Sequence, residues 1–203
     1  TVANAFVHGV APAADGGFWL VGNGGVLDHL DPVTGGVRHH LSEVCGDQGN
    51  RSVHETVGGI VWIGCMRQLV RFDPDSGDLQ RWHGDDEDAP APAGQHIDSI
   101  VSQNDGTVWF ASDLEVQARA PDGRLLESVR AGDGRGIPPL VRPMTIAASP
   151  EGAVWLATTR GVYAWRPDGR RFEPVPGAPQ RTVSAIAYQG ADTIWLAGPG
   201  TLE

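Results

Sequence analysis

The chain has 203 residues, 40% of them apolar, which is enough for a core and excludes an unstructured tail. Its formal charge of -10, from 25 acidic against 15 basic residues, repels phosphate backbones and anionic lipid surfaces and argues against nucleic acid as a partner. No apolar run approaches the ~20 residues needed to cross a bilayer, so membrane contact would come only through segments outside these residues.

Taken in chain order, the predicted elements are short strands set apart by Gly and Pro, of which there are 28 and 15. The start, TVANAFVHGV, lacks the basic residues and long apolar stretch of a signal peptide. A first unit, about residues 1–42, carries Trp19, a middle turn at Gly25-Val26, and Asp31-Pro32 with Thr34-Gly35. A second, about 43–84, reads VWIGC, LVRFD and LQRWH. A third, about 95–130, begins IDSIVSQ, passes through Trp109 and ends LLESV; a fourth, about 141–175, reads RPMTIAAS, VWLAT and VYAWR. The fifth, 181–203, holds VSAIAY and TIWLAG and stops after its second strand.

Trp19, Trp62, Trp109, Trp155 and Trp195 fall at one point of this unit, which is about as long as a four-stranded propeller blade. The expected fold is therefore all-β, a partial arc of about four to five four-stranded propeller blades in one domain, residues 1–203. A side chain that recurs at one repeat position is explained by packing between blades before carbohydrate stacking, and Trp82 and Trp165 are assigned to packing as well. The run DPDSGD from Asp73 begins like a calcium loop. Its sibling runs DPVTGG, APDGR and RPDGR keep the Pro and a Gly while the carboxylates come and go, so a tight turn is expected.

The unit resembles the two-component-regulator propeller repeat, on Trp62-Ile63-Gly64, Leu69 to Pro74 and Ser76-Gly77, with Trp19 to Gly35 and Trp155 to Pro167 close behind. The third unit departs, with Leu114-Glu115 at the middle turn and Ala120 before its Pro. The resemblance implies a seven-bladed parent serving as the extracytoplasmic, periplasmic or extracellular input of a bacterial hybrid histidine kinase or diguanylate cyclase. Any kinase or cyclase activity would then lie in another domain, and these residues would be no enzyme and need no cofactor. Streptogramin lyases share the general look of the repeat and use a base with a divalent metal, a pair that maps onto no residues of this chain. A protein-interaction scaffold is the third reading.

Within such a blade the second-to-third-strand turns and the loops between blades share one face. That places Asn23, Met66, Arg67, Asp113, Glu115 and Arg160, with the loop residues His96 and Arg142, as candidates to contact a small-molecule or glycan ligand. Cys45 and Cys65 fall on that face of one blade, where either a disulfide or two separate thiols fit. No metal site is expected: Asp85 to Asp88 lack the spacing of a calcium loop, and His39 and His40 point to opposite faces of a strand. Uncovered blade ends would favour self-association.

Overall fold

The computed structural model describes residues 1–3, 6–46, 49–88, 90–149, 151–189 and 193–202. Asp47, Gln48 and Ala89, in loops expected to carry ligand contacts, lie outside the described residues. The chain divides into two compact units, Thr1–Ile100 and Val101–Glu203.

In the first unit β1 (Val7–Pro12), β2 (Phe18–Gly22), β3 (Leu27–Leu30) and β4 (Val37–Leu41) form one antiparallel sheet in sequence order, and β5 (Asn50–Glu55), β6 (Val61–Cys65), β7 (Gln68–Phe72) and β8 (Leu79–His83) form another. The division between units falls within β9 (Ile97–Ser102), the edge strand of a sheet continued by β10 (Val108–Ser112), β11 (Glu115–Arg119) and β12 (Leu125–Arg130). The second unit goes on with β13 (Pro143–Ala148), β14 (Val154–Thr158), β15 (Gly161–Arg166) and β16 (Arg171–Pro174), then with β17 (Ala185–Gln189), β18 (Thr193–Gly198) and β19 (Thr201–Leu202). The expected halt after the second strand of the last unit is corrected here, because Leu202 and Thr201 pair with Ala197 and Gly198 to begin a third.

Each meander is enforced by local chemistry. The first-to-second-strand turns share one hydrogen-bond pattern: Ala13, Thr56, Gln103 and Ser149 each donate to the carbonyl four residues on and accept from the glycine three residues on. Those glycines, Gly16, Gly59, Gly106 and Gly152, sit at φ of 88°, 78°, 85° and 89°, which a β-carbon penalises. The third-to-fourth-strand turns of the first two sheets are closed by an aspartate. Asp31 Oδ1 accepts from Val33 and Thr34 N–H, and Asp73 Oδ1 accepts from Asp75 and Ser76 N–H. Thr34 and Ser76 donors hold both carboxyls below the usual range.

The core lies between successive sheets. Trp19, Val21, Val53, Val61, Ile63 and Phe72 are buried together in the first unit. In the second, Trp109, Val116, Ile146, Leu156 and Phe172 are buried together. Central strands buried on both faces, such as β6 and β10, explain why the sequence reads as continuous apolar runs there rather than alternating ones. Trp62 is fully buried and stacks on Trp82 with centroids 5.6 Å apart. Trp109 meets Trp165 edge-on at 5.2 Å, and Trp155 meets Tyr188 at 6.4 Å. Trp195, in the last sheet, is 43% exposed.

Candidate functional site

At one end of the first unit, the β1–β2 and β3–β4 turns of the first sheet meet the β5–β6 and β7–β8 turns of the second. Two adjoining cavities open there. One, of about 580 Å³, is bounded by the two turns of the first sheet; the other, of about 340 Å³, runs between the sheets, and Asp15, His29 and Arg38 line both. These are small-ligand dimensions.

The floor of the inter-sheet groove is built by strand register. Trp19 on β2 lies opposite His29 on β3, which lies opposite Arg38 on β4, so the three share a face of the sheet. The His29 and His40 rings approach the Trp19 ring edge-on at 4.8 and 4.9 Å. Trp19 Nε1 donates to Glu55 Oε2 at 2.5 Å, and the same oxygen accepts from Ala14 N–H at 3.2 Å. Asp15 Oδ1 accepts from Gly17 N–H at 2.9 Å and pairs with His29 Nε2 at 3.1 Å, interactions that hold its carboxyl below the usual range. Burial, then the charges of Arg38 and His29, push the His40 imidazole down, so it is neutral near pH 7.

The residues singled out from the sequence are placed as follows. Asn23 Oδ1 bonds the His8 ring at 2.7 Å, and Arg51 Nη2 donates to His96 Nε2 at 3.3 Å. Met66 and exposed Arg67 line a cavity of about 270 Å³ with Gln68, His83 and Asp85, next to Cys45. Cys45 and Cys65 are joined by a disulfide with Cα atoms 5.6 Å apart. Asp113 and Arg142 pair at 3.4 Å, and Arg160 is exposed with its N–H held by Thr158 Oγ1.

Glu115 differs from its expected place: it is fully buried at the start of β11 rather than presented at a turn. Its Oε1 accepts from Gln117 Nε2 at 3.0 Å and Ser128 Oγ at 2.5 Å, and its Oε2 lies 3.4 Å from Arg130 Nε. Arg119, also fully buried, donates to Gln117 Oε1 and the Gly123 carbonyl. A buried charge held this way is committed to structure, since losing any partner strands another.

The groove of Trp19, His29 and His40 was not anticipated, because alternation along one strand separates His39 from His40 but does not show that β3 brings His29 beside His40. Among the described residues no three His, Cys, Asp or Glu side chains gather as a metal site requires.

No family model matches the chain, and no curated protein matches it. Among solved structures it is similar to a streptogramin B lyase at 14% identity and a TM-score of 0.71, over 97% of this chain and 63% of that one. It is similar to the extracellular domain of a hybrid two-component system of B. thetaiotaomicron at 14% identity and a TM-score of 0.68, over 97% and 27%. A chain of a mitotic checkpoint complex matches at 10% identity and a TM-score of 0.70, over 93% and 56%. The fold is that of a β-propeller. At such identities the likeness shows the architecture alone, and the chain spans less than two thirds of each of these proteins.

Proposed function

We propose that this propeller is the extracytoplasmic input module of a bacterial signalling receptor, binding a small molecule and passing the change to an output domain. What supports the reading is the resemblance of the repeat to the two-component-regulator unit together with a fold match spanning 97% of the chain to the extracellular domain of a hybrid two-component system. The Cys45–Cys65 disulfide supports it, because such bonds persist in oxidising compartments. No helix among the described residues is long and apolar enough to cross a membrane, so the module would report through other segments.

The test uses the natural full-length protein in membranes, its output activity followed across a small-molecule library with and without residues 1–203. A ligand response that disappears on deletion is expected. Output that responds equally in both forms contradicts the proposal.

A second reading, a lyase, rests on the equally extensive match to streptogramin B lyase. Incubation of the chain with streptogramin B and mass spectrometry of the antibiotic separates the two, the input reading predicting no conversion.

A further inference from the structure

Resting on the input reading, we infer that the groove between the first two sheets is the ligand site and that it takes a small zwitterion of the amino-acid class. Among the described residues Asp15 commits Oδ1 to Gly17 and His29, and Glu55 commits Oε2 to Trp19 and Ala14, which leaves Asp15 Oδ2 and Glu55 Oε1 as acceptors. Both residues line the cavity of about 340 Å³, and Trp19, which fixes Glu55, is 4% exposed. Two carboxylate oxygens beside a tryptophan suit N–H donors carrying positive charge.

Arg38, on the same groove, supplies the opposite sign. Exposed Arg38 makes no ion pair or side-chain hydrogen bond among the described residues, and its guanidinium fork matches a carboxylate. A ligand with one cationic and one anionic group meets both. A simple anion would meet Asp15, Glu55 and Asp75 across the groove, and a simple cation would leave Arg38 unused and facing like charge. The charged and titratable groups around the site, Asp15, His29, Arg38 and His40 from the first sheet and Glu55 and Asp75 from the second, all enter this balance.

The experiment is a thermal-shift and calorimetric screen of the whole chain against the common L-amino acids, each hit compared with its decarboxylated amine and deaminated acid, and against neutral monosaccharides. Arg38→Gln and Asp15→Asn are run alongside, with circular dichroism to show that each is folded. The expected result is at least one amino acid that stabilises the chain and binds at least ten-fold tighter than either half-molecule. Arg38→Gln should erase the advantage over the amine, and Asp15→Asn the advantage over the acid. The inference is overturned if no amino acid stabilises the wild type, or if both variants bind as well as it does. Stabilisation by a monosaccharide alone would refute the zwitterion while leaving the input reading standing.

Discussion

His54 on β5 is mostly buried, and burial pushes its imidazole down to about 4 from the ordinary 6.5. The folded state therefore binds fewer protons than the unfolded chain between those values. Stability is full above about pH 6.5 and falls as pH drops toward 4, by up to about 3 kcal/mol. Urea melts at pH 7.5 and 4.5 on the wild type and His54→Gln check this: the variant should lose much of the pH dependence, and an unchanged slope would refute the assignment. Arg67 gives a second prediction. It sits at φ 55° two residues before Leu69, where the first sheet has Gly25 at φ 67° two residues before Leu27. Relief of the left-handed strain, about 1–2 kcal/mol, is partly offset by the freedom glycine gains in the unfolded chain. Arg67→Gly should raise stability by up to about 1 kcal/mol in denaturant titration; a loss would show that the side chain holds the turn.

Strands and turns were legible because each is decided within a few residues. The Gly of every described first-to-second-strand turn and the recurring tryptophan mark their elements without reference to anything distant. The buried ladder of Glu115, Gln117 and Arg119 was not legible, since charged residues at alternate positions normally announce a solvated face. Only their mutual hydrogen bonds, made with Ser128 and Gly123 of neighbouring segments, reverse that expectation. The disulfide belongs to this scale too, tying the loop after β4 to the end of β6 across a sequence separation of 20 residues. Closing a loop of that length constrains the unfolded chain by about 3 kcal/mol. The Cys45→Ser, Cys65→Ser double variant should lose 2–4 kcal/mol in guanidinium melts. Equal stability, with two reactive thiols in the unreduced wild type, would contradict the bridge.

For the whole molecule, a repeat of sheets places function where turns from neighbouring sheets converge, and the sequence narrows that to two ends of each blade without choosing between them. The choice depends on which side chains remain uncommitted once the sheets have packed. Of the residues singled out from the sequence, Asn23 pairs with His8, His96 with Arg51, and Asp113 with Arg142. In the first unit the turns of the first two sheets frame cavities of about 580 and 340 Å³, with Arg38 unpaired among the described residues. Strand alternation alone could not reveal this, because His29, His40 and Glu55 come from three different strands.

Amide hydrogen exchange of the intact chain, with and without any ligand that stabilises it, tests this placement most directly. The account predicts added protection in residues 13–17, 31–38 and 56–60 and around Asp75. Protection confined to the segments of Asn23, Met66, Arg67 and Arg160 would contradict it.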